Sequence, residues 1–111
     1  MTKGCELIAN ERQRQIDVEG YTEKQDSQYV CSELTDAAII YAMRGYWKKR
    51  LNPLIIGNES EPGLMWPFAP EKFKPSQQEY PNGRIRDLIK AGALIAAELD
   101  RLLAVEKSRK K

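Results

Sequence analysis

Histidine is absent from this chain of 111 residues, and cysteine occurs only twice. Without imidazole the chain cannot use Ser-His-Asp or Cys-His catalysis, histidine-ligated zinc, or the general base that most often works near neutral pH. Cys5 and Cys31 form no Cys-x-x-Cys pair and match no zinc framework, so we expect two free thiols. The glycine loops Gly-x-x-x-x-Gly-Lys-Ser/Thr and Gly-x-Gly-x-x-Gly are also missing. The sequence therefore implies no cofactor and favours binding over catalysis.

Long apolar runs are missing as well. The longest run of small or apolar residues in the last block covers residues 91–97, far below the roughly 18 to 20 residues that a membrane span requires. The first six residues lack the apolar stretch and the small-residue cleavage site of a secretory signal. We therefore expect no membrane partner and a cytoplasmic location.

Positive charge is in small and uneven excess. Residues 1–43 carry a net charge of −4 and residues 44–111 one of +6, so the whole chain carries +2. Four of the cations lie in residues 107–111, which we expect to form a basic flexible tail. A net charge of this size disfavours a nucleic-acid partner, because dedicated DNA-binding proteins carry a much stronger basic stripe.

All six prolines lie between Pro53 and Pro81. Proline interrupts regular structure, so residues 51–81 are predicted to form an irregular segment between two helical blocks. The chain is then a single helical domain, residues 1–106, followed by the basic tail. Irregular segments that a rigid scaffold presents often carry binding surfaces.

The last block has the clearest helical pattern. Its apolar positions recur at spacings of 3, 4, 3, 4 and 3, which predicts a helix over residues 83–106 that packs against another helix. We call these positions the apolar seam; they are Ile85, Leu88, Gly92, Ile95, Leu99 and Leu102. Asn82 is the expected N-cap. Gly92 costs about 1 kcal/mol relative to alanine, so a close contact should offset it.

The second helical block starts after Ser32, a suitable cap, and ends near Gly45 or the basic residues 48–50. Its small and apolar stripe, which matches the alanines of the last helix, consists of Leu34, Ala37, Ala38, Tyr41 and Ala42. A shorter, more polar helix is predicted over residues 4–17. The expected fold is mainly α, with about three helices, the second and third forming a tightly packed antiparallel pair.

Aromatic and basic residues in and beside the irregular segment form a candidate binding site. Its members are Trp66, Phe68, Lys74, Arg84 and Arg86. In one interpretation the rings stack on a planar ligand and the cations bind its phosphate or carboxylate groups. In the other, the rings pack with Phe73 as a lid over the helix pair, and the arginines pair with the acidic first half of the chain. The sequence leaves both open.

Carboxylates offer a catalytic alternative. Glu33 and Asp36 lie one helical turn apart and Glu98 lies on the last helix, so the three could hold Mg²⁺ between two helices. A bound Mg²⁺ would bind phosphate oxygens and activate water. The competing interpretation is an ordinary solvated face.

Several segments resemble small accessory proteins, mostly of uncharacterised function, that tailed bacteriophages and prophages encode. The segments are residues 11–15, 19–22, 33–38, 66–68, 74–75 and 86–95. The resemblance implies work in the cytoplasm of the host cell, where such factors inhibit a host enzyme, blunt a defence system or sequester its signal. Glu33-Leu34-Thr35-Asp36 also resembles the Glu-x-x-Asp half of MazG-like all-α nucleoside triphosphate pyrophosphohydrolases, but their preceding Glu-Glu-x-x-Glu is missing here.

These observations lead us to expect a phage-type accessory protein that acts by binding, with a host protein or a small anionic ligand such as a nucleotide as its target. The alternative is a Mg²⁺-dependent pyrophosphohydrolase of the MazG-like kind, with Glu33, Asp36 and Glu98 at the metal. A third class is a structural homo-oligomer, because the apolar seam of the C-terminal helix could pair between chains.

Overall fold

The computed structural model describes residues 1–19, 33–43, 45–55, 66–67 and 73–109. These ranges are mainly helical and contain no β-strand, which confirms the mainly α fold class. The helices, numbered in chain order, are α1 (Lys3–Glu19), α2 (Glu33–Ala42), α3 (Gly45–Ile55) and α4 (Asn82–Arg109). None of these helices has both the length and the apolar composition needed to cross a membrane.

Helix α3 is the element that the sequence did not predict. Gly45 begins this helix instead of ending the one before it, and residues 51–55, assigned to the irregular segment, are its last residues. Lysine, arginine and leucine in its middle favour the helical conformation. Proline was the misleading signal, because Pro53 lacks one backbone donor and yet the helix continues to Ile55.

The ends of α4 also differ from the prediction. The carbonyl of Pro81 accepts a hydrogen bond from the amide of Ile85 at 2.9 Å, which places Pro81 at the cap position and Asn82 inside the helix. At its other end α4 continues to Arg109, so residues 107–109 of the expected flexible tail are helical. Lysine and arginine are good helix formers, and cations in the last turn interact favourably with the helix dipole.

Helices α2 and α4 form the most extensive contact between helices, and they run antiparallel. Thr35, in the first turn of α2, donates a hydrogen bond to Glu98 at 3.1 Å. Beyond the other end of α2, the carbonyl of Met43 accepts one from Arg84 at 3.0 Å. Small side chains make the contact, as the sequence predicts; the buried alanines are Ala37, Ala38, Ala91 and Ala97. Ser32, the predicted cap of α2, lies outside the described residues.

Helix α1 crosses α4 instead of lying alongside it. Two adjacent residues of α1 contact distant parts of α4. Glu11 pairs with Arg86, and Arg12 pairs with Asp100. The two α4 residues are separated by about 21 Å along the helix, at 1.5 Å per residue. A steep crossing explains how adjacent side chains of α1 reach both.

Gly92 provides space for α1 at this crossing. A Cβ atom at this position would lie 2.6 Å from Cδ1 and 2.9 Å from Cγ1 of Ile8. Real side chains do not tolerate such distances, so only glycine lets Ile8 lie against the backbone of α4 in this way. The cost of glycine inside a helix is thus offset by a close contact, as predicted.

The described part of the irregular segment belongs to the hydrophobic core. Trp66 is 8% exposed. Its ring meets Tyr41 edge-on at a centroid distance of 5.7 Å and lies 4.9 Å from the ring of Phe73. The amide of Trp66 also donates to the carbonyl of Ile55 at 3.1 Å. The lid interpretation therefore describes Trp66 and Phe73, whereas Phe68 lies outside the described residues.

Apart from Gly92, which lies against Ile8, the apolar seam of α4 is not the face that packs within the described chain, contrary to the prediction. Its five side chains, those of Ile85, Leu88, Ile95, Leu99 and Leu102, are 42% to 55% exposed. The buried face lies one position earlier along the helix and includes Asp87, Ala91, Leu94, Glu98 and Arg101. Alanines allow α2 to approach the backbone of α4 more closely than the larger side chains of the seam would, and this packing orients the helix.

We expect Gly92→Ala to lower the free energy of unfolding, although alanine is the better helix former. The added methyl group would overlap Ile8, whose branched side chain has few alternative rotamers. Relieving the overlap should cost about 1 to 3 kcal/mol, against a gain in helix propensity of about 1 kcal/mol. Urea unfolding of Gly92→Ala, Ile8→Ala and the double variant measures this. If Gly92→Ala changed the free energy of unfolding equally in the wild type and in Ile8→Ala, the contact between Gly92 and Ile8 would be contradicted.

Candidate functional site

Charged and polar side chains are buried on α1 and α4. They are Glu11, Arg12 and Gln15 of α1, and Asp87, Glu98 and Arg101 of α4. Burying a charge is costly unless the charge is paired, so these residues mark the places where electrostatic interactions are concentrated. Among the residues that the structure describes, one of these places has more positive than negative charge, and it is the candidate site.

The candidate site is a cationic cluster in which Arg14, Arg86 and Lys90 lie around Glu11. Arg14 donates from Nε and Nη2 to the two carboxylate oxygens of Glu11 at 2.9 and 2.7 Å. Arg86 reaches the same carboxylate from α4, with its Nη2 3.0 Å from Oε1. The side chain of Glu11 is 3% exposed, whereas those of Arg14 and Arg86 are 37% and 39% exposed. The acid is therefore buried beneath two arginines that partly face solvent.

The surplus of positive charge is reflected in the pKa values of the cluster. Burial by itself raises the pKa of Glu11, but hydrogen bonds and charge from Arg14 and Arg86 outweigh burial and hold the pKa below its usual value. Burial, followed by repulsion from Arg86, lowers the pKa of Lys90, and the nearby carboxylates do not offset this. An anion bound beside Lys90 would therefore stabilise the charged form of this lysine.

Lys90 connects the cluster to the residues that precede α4. Its Nζ donates to the backbone carbonyl of Lys74 at 2.5 Å and lies 5.5 Å from the centre of the Tyr41 ring. The amide of Lys74 donates in turn to the Tyr41 hydroxyl at 3.0 Å. The backbone of Lys74 is thereby fixed next to the cluster, while its side chain remains exposed.

Asp87 anchors Ser76, a second residue of the segment that precedes α4. Its carboxylate accepts a hydrogen bond from the amide of Ser76 at 2.8 Å and another from Nζ of Lys48 at 3.0 Å. The side chains of Lys48 and Asp87 are 16% and 9% exposed, so water screens this ion pair only weakly. One carboxylate of α4 therefore anchors both α3 and the chain that leads into α4.

The structure separates Arg84 from Arg86. Residues two apart on a helix point in different directions. Arg86 pairs with Glu11 of α1, whereas Nη1 of Arg84 donates to the carbonyl of Met43 at the end of α2. A basic side chain that satisfies a helix-terminal carbonyl has a structural role. The predicted site therefore divides, with Arg86 in the cationic cluster and Arg84 outside it.

Trp66 does not present an open wall to a ligand. Because its ring packs against both Tyr41 and Phe73, a planar ligand could stack on it only after one of those rings had moved. A role for Phe68 stays a prediction, since this residue lies outside the described ranges. Lys74, Arg84 and Arg86 are therefore more accessible than Trp66, whose ring is the one of the predicted site that the structure describes.

Glu11, Arg14 and Lys90 are the members of the cluster that the predicted site did not include. For Glu11 and Arg14 the available signal was their spacing of three residues on a helix, because side chains three or four residues apart are neighbours. That Arg86 would join them was not readable from the sequence. Its position next to Glu11 depends on the angle at which α1 crosses α4.

The carboxylates of the pyrophosphohydrolase alternative do not form a metal site. Glu98 is buried and accepts hydrogen bonds from Thr35 and Arg101. Asp36 is exposed and Glu33 is half-buried. Within the described residues, no three His, Cys, Asp or Glu side chains are close enough together to hold a metal ion. The guanidinium of Arg101 supplies the positive charge that a metal would have supplied to Glu98.

Comparisons with known proteins leave the family of this chain open. No family model, curated protein or solved structure matches it. The resemblance to phage accessory proteins stays a prediction, and function has to be inferred from the cationic cluster.

Glu11 should make the protein sensitive to acid. Its pKa is lower in the folded chain than the usual value of 4.5, so Glu11 stabilises the fold above that value. This contribution is lost as the pH falls through the lower, folded-state pKa. We expect Glu11→Gln to reduce the free energy of unfolding by about 2 kcal/mol at neutral pH, because two arginines lose their shared carboxylate.

Urea unfolding as a function of pH measures the contribution of Glu11. The wild type should lose stability below the usual glutamate pKa more steeply than Glu11→Gln does. Glu79→Gln, which removes the same charge from an exposed position outside the cluster, is the matched control and should follow the wild type. Parallel pH curves for the wild type and Glu11→Gln would assign the acid sensitivity to other carboxylates.

Gln15 generates an independent prediction about stability. Its side-chain Oε1 is buried and has no hydrogen-bond partner among the described residues. Methionine has a similar length and no such acceptor, so Gln15→Met should raise the free energy of unfolding by about 1 kcal/mol. Gln13→Met is the control, since the exposed Gln13 donates to Asp17 at 3.0 Å and gains nothing from the change. Chemical denaturation that ranked Gln15→Met below the wild type would refute this account.

Proposed function

We propose that this chain is a phage-type accessory protein that acts by binding, and that the cationic cluster of Arg14, Arg86 and Lys90 receives an anionic group of its target. The target is a small anionic ligand such as a nucleotide, or a host protein, including one of a defence system, that presents carboxylates. The observation that carries this proposal is that two arginines share one buried carboxylate, with the charge of Lys90 close enough to interact with Arg86 and Glu11.

The geometry of the arginines supports recognition of an anion. A planar guanidinium binds carboxylate or phosphate through paired hydrogen bonds. Arg14 is fixed by two hydrogen bonds to Glu11, and Arg86 is held by the same acid from the other helix. Because both guanidinium groups are oriented before a ligand arrives, binding should cost little side-chain entropy.

The charge balance of the cluster supports the same conclusion. Glu11 supplies one negative charge, and Asp87 is already paired with Lys48. An anion on the solvent side of Arg86 would interact with Lys90 as well, and the pKa of Lys90 would rise again toward its usual value. The backbone carbonyl of Lys74 accepts a hydrogen bond from Lys90 and the side chain of Lys74 is exposed, so this residue is available to add a further cation.

Arg86→Ala is the variant that tests the proposal. Titration calorimetry with inorganic phosphate and nucleoside mono- and triphosphates tests small ligands, and capture from bacterial lysate with mass spectrometry tests proteins. We expect the wild type to bind an anionic molecule or an acidic protein. Arg86→Ala should bind it about tenfold more weakly or worse, because a charge-assisted hydrogen bond is worth roughly 1.5 to 3 kcal/mol.

Two further variants control for charge and geometry. Arg109→Ala removes the same charge from the exposed end of α4 and should bind like the wild type. Arg86→Lys keeps the charge without the guanidinium fork and should bind with intermediate affinity. Equal binding by Arg86→Ala and the wild type, with unchanged circular dichroism, would remove this site. Pyrophosphate release from a nucleoside triphosphate with Mg²⁺, abolished by Glu33→Gln, would establish the enzyme alternative instead.

A further inference from the structure

Residues 73–76, which we call the docked segment, are held in place by side chains. The amide of Lys74 donates to the hydroxyl of Tyr41 at 3.0 Å, and its carbonyl accepts from Nζ of Lys90 at 2.5 Å. The amide of Ser76 donates to a carboxylate of α4 at 2.8 Å. Among the described residues, the docked segment makes no backbone–backbone hydrogen bond. A segment without such bonds opens locally more readily than a helix does, so its position depends on the three side chains that hold it.

Lys90 is the one of these three side chains that also belongs to the cationic cluster. It lies about 6 Å along α4 from Arg86, and residues four apart on a helix are neighbours. Arg86 in turn pairs with Glu11 of α1 at 3.0 Å. The ammonium group has three donors, and among the described residues the Lys74 carbonyl is its one hydrogen-bond acceptor. Lys90 can therefore donate to an anion without releasing the docked segment.

We propose that an anion bound at the cationic cluster tightens the docked segment, and that Lys90 transmits the effect. This coupling rests on the proposed function, because it requires an anion beside Arg86 and Lys90. An anion held by both side chains fixes the long lysine side chain in the conformation that also reaches Lys74, so the bond to the carbonyl costs less conformational entropy. The anion also favours the charged form of Lys90, which makes the stronger hydrogen bond and the contact with the Tyr41 ring.

The effect reaches the hydrophobic core through Phe73, the first residue of the docked segment. Its ring lies 5.6 Å from the ring of Tyr41 and 4.9 Å from that of Trp66. The hydrogen bonds of the next residue, Lys74, therefore help to hold Phe73 against the core. Coupling between two sites is reciprocal, so a change that loosens the docked segment weakens anion binding by the same factor.

Hydrogen exchange of backbone amides in the full chain tests the role of Lys90 without a ligand. Lys90→Met keeps an apolar stem of similar length and removes the charge and the donor. The amide of Lys74 should then exchange about tenfold faster, because the docked segment has lost a charge-assisted hydrogen bond. Lys107→Met makes the same substitution at the exposed end of α4 and should exchange like the wild type. Unchanged exchange at Lys74 in Lys90→Met would overturn the role of Lys90.

Inorganic phosphate tests the coupling, with sodium chloride at equal ionic strength as the reference. In the wild type, saturating phosphate should slow exchange at the Lys74 amide by about fivefold or more. Lys90→Met, at a phosphate concentration that saturates its own binding, should show no slowing there. Tyr41→Phe keeps the ring and removes the hydroxyl that accepts the Lys74 amide. By reciprocity this variant should bind phosphate more weakly than the wild type, although the hydroxyl is not part of the cluster.

These measurements separate the coupling from the proposed function. If phosphate bound the wild type more tightly than Arg86→Ala and yet left exchange at Lys74 unchanged, the coupling would be overturned and the proposed function would stand. Slowing of equal size in the wild type and Lys90→Met would also overturn the coupling through Lys90. If calorimetry detected no binding of phosphate or of the nucleotides, the small-ligand form of the proposed function would fail, and the coupling to such an anion would fail with it.

Discussion

The close packing of α2 on α4 through alanines is the contact on which the other arrangements depend. Because Ala37, Ala38, Ala91 and Ala97 are small, the two helices approach with little between their backbones. This contact sets the rotation of α4 about its own axis. Once the alanine side is turned to α2, a second side is available to α1 and the apolar seam is left at the surface.

Electrostatics governs the contact of α1 with α4, which is mostly polar. Glu11 is buried, and a buried carboxylate is tolerated only when it is paired. It obtains one arginine from its own helix and one from α4, and within the described ranges this pairing brings more cations than acids together. The same interaction that secures α1 therefore creates the positive surplus on which the proposed binding function rests.

The residues before α4 are held by their backbone, which separates the roles of rings and cations. Tyr41 accepts a hydrogen bond from the amide of Lys74, and Asp87 accepts one from the amide of Ser76. Lys90 donates to the carbonyl of Lys74. Trp66 and Phe73 complete the core that these bonds position. Tyr41, Trp66 and Phe73 thus stabilise the fold, and the basic side chains of Lys74 and Arg86 next to them remain at least partly at the surface.

The sequence by itself determined the helical class, the matching stripes of small residues on α2 and α4, and the need for a close contact at Gly92. Each of these follows from local periodicity or propensity, which a single segment carries. The sequence could not decide which of two adjacent stripes of α4 faces inward, because rotating a helix by one position exchanges them. It could not place Glu11 beneath Arg86 either, because that pair forms only when two distant helices cross at a particular angle. Tertiary packing made both decisions, since the free energy gained by bringing alanine surfaces together and pairing buried charges depends on all the helices at once.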